Sequence, residues 1–281
     1  MAAVSRAPGP AAGRPESGGQ RGGGEPAGKA SFPPGFTKAG LAARVIRPVF
    51  WFWYAAGLLL MLFYKVPEAL GFSNGLFLLF FASYAVFLET RTGRGIPGIV
   101  FRTTLVAAVT FGVEAMGVAT GFPFGSYAYT DVLGIAAGGV PLAIACAWIG
   151  VMVTMLLLAE DGPRWVRALQ VGGGLLLFDL VLDPVAYARG FWVWEGTGVY
   201  AGIPWTNFAS WFLIAALLSF VYPRRTVPAP VRREAGLLYG LMLVMFALLG
   251  IKEGMLLPAG FAAVGLLLVY GRVQRKEGSA R

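Results

Sequence analysis

Residues 178–212 read FDLVLDPVAYARGFWVWEGTGVYAGIPWTNFASWF, and they decide how the rest of the chain is understood. Apolar runs lie on both sides, yet here Asp179 and Asp183 stand four apart at the end of one such run. On a helix that spacing places both carboxyls on one face. Pro184 follows at once and predicts that the chain extends or turns there. A loop then gathers Trp192, Trp194, Glu195, Tyr200, Trp205 and Asn207. A helix end reaching water is the plain alternative for the aspartates, and an interfacial belt is the plain alternative for the aromatics. The density of Gly, Trp, Tyr, Asp and Asn together exceeds what anchoring requires.

Working outward, composition sets the solvent. The 281 residues are 57% hydrophobic and 13% charged, with a mean hydropathy of +0.68, which excludes an ordinary soluble protein. The net charge of +9 sits between apolar runs, as orientation signals do, so nucleic acid is not an expected partner. There is no histidine, which removes the usual near-neutral acid or base and the commonest metal ligand. Proton chemistry must then rest on carboxyls or tyrosines. The single cysteine, Cys146, lies inside an apolar run and reads as core filler.

Residues 1–40 are rich in Gly, Pro, Ala and Arg and predict a disordered tail, without the apolar core of a signal peptide. Apolar runs follow over about 48–64, 69–88, 103–120, 138–158, 165–182, 207–222, 235–251 and 255–270, each near the roughly 20 residues that a crossing helix needs. The expected fold is an all-α integral membrane protein of about eight transmembrane helices. One multi-pass domain covers 41–271, and a charged tail covers 272–281. Gly172, Gly173 and Gly174 predict close approach of a neighbouring helix. All lysines and arginines except Lys65, Arg189 and Lys252 fall on the side of the termini, which predicts cytoplasmic termini in the plasma membrane. Glu114 inside the third span and Asp179 in the fifth then lie roughly 10 Å or less below the outer surface. They are expected to share one pocket.

Charged groups inside a span usually mark function. No phosphate loop, dinucleotide fingerprint or metal-ligand cluster is visible, so neither cofactor nor metal is expected. A desolvated carboxyl can keep its proton near neutral pH and act as an acid, and aromatic faces stabilise cations. Those parts suit protonation of an electron-rich alkene and capture of the carbocation.

Here the residues carry a resemblance. PFGSYAYTDVLG (123–134), VPL (140–142) and DLVLDPVAYARGFWVWEGTGVYAGIPWTNFASW (179–211) resemble the signature segments of the CruF-type carotenoid hydratases. The resemblance implies a multi-pass helical enzyme without a known cofactor that hydrates the terminal 1',2' double bond of an acyclic carotenoid end, of the lycopene or gamma-carotene type. The partners expected are that carotenoid drawn from the bilayer, water, membrane lipid and other carotenoid-pathway enzymes. Residue roles come from physical reasoning. Asp179 is the first choice for the acid and Glu114 the second. Tyr127, Tyr129, Trp192, Trp194, Tyr200 and Trp205 would face substrate or cation, and Asp183 and Asn207 would hold the water. The alternatives are a carotenoid end-group cyclase or a related prenyl-lipid enzyme and, from another class, a proton-coupled transporter.

Overall fold

In lipid a backbone amide or carbonyl has no water to bond, so an apolar run satisfies its own groups as a helix. The computed structural model describes residues 38–64, 70–159, 162–224 and 226–278. Its helices are α1 (Lys38–Phe63), α2 (Phe72–Thr90), α3 (Ile96–Thr120), α4 (Leu142–Leu158), α5 (Arg164–Ala188), α6 (Trp205–Ser219), α7 (Ala229–Lys252) and α8 (Leu257–Gly278). The expectation for the tail falls outside the described residues up to Lys38, where α1 already begins. α8 continues through Gly278, so most of the charged C-terminal stretch is helical.

Six of these helices, all but α4 and α6, are long and apolar enough to cross a membrane. α5 and α7 are central, 67% and 56% buried, whereas α1, α3 and α8 are only 11%, 17% and 17% buried and face outward. α4 is sheathed by α2, α3, α5 and α7. The glycine run on α5 does what its composition suggests at two of three positions. A β-carbon at Gly172 would lie 2.8 Å from the Phe212 carbonyl oxygen of α6, and one at Gly174 would collide with Met155 of α4, while Gly173 has open space beside it.

The two short helices, 17 and 15 residues, reach about 25 Å or less at 1.5 Å per residue, under the roughly 30 Å of a hydrocarbon core. Their buried C-terminal carbonyls therefore need partners. Arginines from neighbouring helices supply them. Arg232 of α7 donates to the Leu158 and Ala159 carbonyls, both at 2.9 Å, which close α4. Arg167 of α5 donates to the carbonyls of Ser219 at 2.9 Å, Pro223 at 3.0 Å and Tyr222, which close α6. Positive charge at a helix C-terminus also suits the helix dipole.

Two expectations are corrected. The fifth span does not stop at Leu182; α5 passes through Pro184 to Ala188. Proline removes the amide that would bond the Leu180 carbonyl, and the Tyr200 hydroxyl donates to that oxygen instead, at 3.1 Å. Nor is the chain wholly α. β1 (Tyr127–Tyr129) pairs antiparallel with β4 (Trp192–Trp194), and β2 (Ala136–Ala137) with β3 (Val140–Pro141). The β2–β3 turn uses Gly138 and Gly139 with φ of 58° and 79°, the left-handed geometry of a two-residue hairpin. That hairpin delays the fourth helix to Leu142.

Candidate active site

The ribbon of β1 and β4 sits at the end of the bundle where α3 and α5 finish and α4 and α6 begin. Its register opposes Tyr127 to Trp194, Ala128 to Val193 and Tyr129 to Trp192. Strand side chains alternate between faces, so the four aromatics share one face while Ala128 and Val193 are left exposed on the other. Cross-strand ring pairs knit that face, Tyr127 to Trp194 at 4.9 Å and Tyr129 to Trp192 at 5.8 Å. The ribbon is tied to the bundle by the Phe191 amide, which donates to the Ala186 carbonyl at 3.0 Å.

Beneath it lies a cavity of about 90 Å³. Glu114, Asp179, Asp183 and Asn207 line it together with Tyr127, Tyr129, Trp192 and Trp194. The three carboxyls are almost wholly buried, at 3%, 1% and 2% exposure. Among the described residues the one cation on the cavity wall, Arg189, is paired with Glu253 at 3.0 Å. Among the described residues no group of three or more acidic or cysteine side chains is close enough to hold a metal ion.

Asp179 and Asp183 lie one turn apart on α5 and are bridged by one amide on the first turn of α6. Asn207 Nδ2 donates to Asp179 Oδ2 at 2.8 Å and to Asp183 Oδ2 at 2.7 Å. An amide nitrogen carries two hydrogens, so both are spent on the acids and only Asn207 Oδ1 is left for other partners. Trp192 Nε1 donates to Asp183 Oδ1. Glu114 is more crowded. Its Oε2 accepts from the hydroxyls of Tyr127 and, at 2.8 Å, Tyr129, and its Oε1 accepts from Trp148 Nε1 at 3.0 Å. Gly117, one turn further along α3, makes room for this, because a β-carbon there would lie 3.0 Å from the Tyr127 hydroxyl.

Five of the six carboxyl oxygens are thus occupied by donors. Asp179 Oδ1 accepts no hydrogen bond from any described residue. On the donor side, Trp194 Nε1 is buried without a hydrogen-bond partner, although its indole lies within electrostatic reach of Asp183. Burial first, then the neighbouring Glu114 charge, holds the Tyr127 and Tyr129 hydroxyls above the ordinary tyrosine range. Both remain O–H donors at any working pH.

The structure brings together eight of the ten nominated residues. Tyr200 and Trp205 stand outside the cavity. The Tyr200 hydroxyl serves the α5 backbone, burial pushes it up to about 12, and its ring packs on Phe208 and Phe261. Trp205 is 63% exposed at the start of α6. Asp131 and Glu195, further acids near the segment, lie at the exposed surface. Trp148 and Trp211 were not anticipated. They stack at 3.9 Å with an interplanar angle of 16° behind Glu114. A signal existed, since an indole N–H inside an apolar run needs a buried acceptor, and Glu114 is the carboxyl of the adjoining helix.

Residues 73–271, from α2 into α8, match the family described as carotenoid biosynthesis protein. The chain belongs to that family. This carotenoid biosynthesis family agrees with the CruF-type resemblance of residues 123–134, 140–142 and 179–211. A bisanhydrobacterioruberin hydratase of Haloarcula japonica is 37% identical over 119 residues, 39% of this chain and 40% of that protein. The match therefore spans about two-fifths of the length of that curated relative. No solved structure matches the chain.

Proposed function

We propose that this member of the carotenoid biosynthesis family is a hydro-lyase-type enzyme of the plasma membrane, a carotenoid hydratase that adds water across the terminal 1',2' double bond of an acyclic end group. What supports the reading most is Asp179 Oδ1, the one oxygen of the three cavity carboxyls that no donor among the described residues occupies. A protonated carboxyl oxygen needs no donor, and an O–H aimed into an apolar, aromatic-lined chamber has an alkene as its natural target. The name of the haloarchaeal relative points the same way.

In this mechanism the Asp179 proton passes to C2', using the alkene π pair, and tertiary C1' becomes the cation. The faces of Tyr127, Tyr129, Trp192 and Trp194 stabilise it. A water held by Trp194 Nε1–H and Asp183 bonds to C1' and loses a proton to the Asp183 carboxylate. Return of that proton to Asp179 resets the site. Asn207 holds the two acids in register, and Glu114 anchors the two tyrosine hydroxyls.

Expression in cells that accumulate lycopene tests the reading. The product should be heavier by one water per hydrated end. Its absorption should barely move, since the 1',2' bond lies outside the conjugated system. A product of unchanged mass bearing a ring would point to a cyclase, and no change in any acyclic host would return the transporter.

A further inference from the structure

The cavity is too small for its proposed substrate. At about 90 Å³ it is smaller than the roughly 150 Å³ cavity that accommodates benzene, so at most the terminal carbons of an end group enter it and the rest of a carotenoid lies elsewhere. A second hollow of about 220 Å³ runs along the seam of α1 and α2. Met61, Asn74, Phe77 and Met245 line both spaces, so the two adjoin across those side chains. We propose that this α1–α2 groove is the binding track for the polyene chain of the substrate, open to the bilayer along α1; the assignment rests on the hydratase reading.

The chemistry of the groove fits a long apolar rod. Phe52, Trp53, Leu60 and Phe72 contribute its wall. Three polar groups among its lining residues are turned to protein partners. Trp53 Nε1 donates to the Ser73 carbonyl at 3.3 Å, the Tyr54 hydroxyl to the Leu241 carbonyl at 2.7 Å, and Asn74 Nδ2 to the Val132 carbonyl at 3.3 Å. What remains for a ligand is apolar surface apart from the Ser73 hydroxyl and the Asn74 side-chain oxygen. α1 is also the least buried of the long helices, at 11%, and Phe52 and Phe63 on it are 71% and 73% exposed. In a bilayer those side chains meet lipid, so the groove opens where a carotenoid already resides.

Gly57 offers a clean plug. It lines the groove, and a β-carbon there meets nothing within 4 Å, so a phenylalanine can be rooted there without a backbone clash and its ring would compete for the track. Gly112 on α3 has the same open surroundings and does not line the groove, so Gly112→Phe is the control. The experiment purifies Asp179→Asn, which should hold substrate without converting it, from lycopene-accumulating cells, and measures the retained carotenoid by absorbance. Hydration by the wild type is measured in parallel.

Adding Gly57→Phe should cut retained pigment about tenfold, as expected when a ring takes the place of a buried apolar ligand segment, and Gly112→Phe should not. Should Gly57→Phe fail to accumulate, Leu60→Trp on the same wall makes the same comparison. Equal pigment with and without the plug would overturn the track, as would lipid acyl chains retained in place of carotenoid or no retained pigment from cells in which the wild type hydrates. A plug-sensitive pigment in a protein whose wild type hydrates nothing would sink the hydratase reading and leave the track standing.

Discussion

The Tyr200 hydroxyl donates to the Leu180 carbonyl at 3.1 Å, the acceptor that Pro184 leaves without its amide. A loop residue thereby replaces the one hydrogen bond that would otherwise be missing beside the two acids. Asp179 precedes the orphaned carbonyl by one residue and Asp183 follows it by three. The repair therefore keeps α5 helical where both carboxyls must share a face.

Tyr200→Phe should leave that buried carbonyl unsatisfied, at a cost of about 1–3 kcal/mol. The measurement is thermal unfolding in detergent. Pro184→Ala restores a backbone N–H, so it should recover most of the stability lost in Tyr200→Phe while adding little to the wild type. A double-mutant cycle with no coupling between the two positions would show that the hydroxyl does not serve this carbonyl.

The arginines that close α4 and α6 give a second test. Arg232→Met should strip two carbonyls of their donor and lower the amount of folded protein in the membrane. The expected loss is about 2–3 kcal/mol, because bonds from a charged donor exceed neutral ones. Arg167→Met should behave likewise at the end of α6. Arg232→Lys should recover only part, since Nη1 alone bonds both carbonyls and the shorter lysine side chain holds its ammonium back from them. Normal melting of both Met variants would mean that the short helices end in water.

Much of this architecture was legible in the chain and some of it was not, for identifiable reasons. The apolar runs announced the helices, and the spacing of Asp179 and Asp183 announced a shared face. The aromatic ribbon was half legible. YAY (127–129) and WVW (192–194) each alternate large and small side chains, a period-two signal, but short strands sixty-odd residues apart give no sign of their pairing. The passage of α5 through Pro184 was not readable, because local preference opposed it and a distant tyrosine overrode it. Arg167 and Arg232 read as orientation charges, and only the packed helix ends show that they cap carbonyls. Within the site, Glu114 was visible as a buried charge, whereas its three donors came from two separate segments, β1 and α4.

Topology is checked with reporters. The charge asymmetry predicts that the loop around Arg224 and the C-terminus lie on the cytoplasmic side, and the loop at Gly196 on the opposite one. Fusions at those points should read inside, inside and outside. A C-terminus on the outer side would move the acid cavity to the cytoplasmic face.

The hydrogen bonds rank the three acids before any assay. In Glu114→Gln one oxygen becomes an NH2 group that either meets the Trp148 N–H donor against donor or forces both tyrosine hydroxyls to turn and accept, so the expected loss is in folded protein. Asp183→Asn meets the same conflict with Trp192 or Asn207, and should weaken the site more than an isolated aspartate would suggest. Asp179→Asn is the structurally benign change. Its carbonyl can keep the bond from Asn207, and its NH2 falls where Oδ1 faces no donor. Chemically it should be the most severe, because an amide cannot protonate carbon. Loss of general acid catalysis typically costs about 10² to 10⁴ in rate, and an alkene, as a very weak base, belongs at the upper end. The expected pattern is normal protein level and melting with hydration abolished for Asp179→Asn, and lowered protein level for Glu114→Gln. Near-normal turnover in Asp179→Asn would move the acid to Glu114, whose crowded oxygens would then have to release a donor on substrate binding.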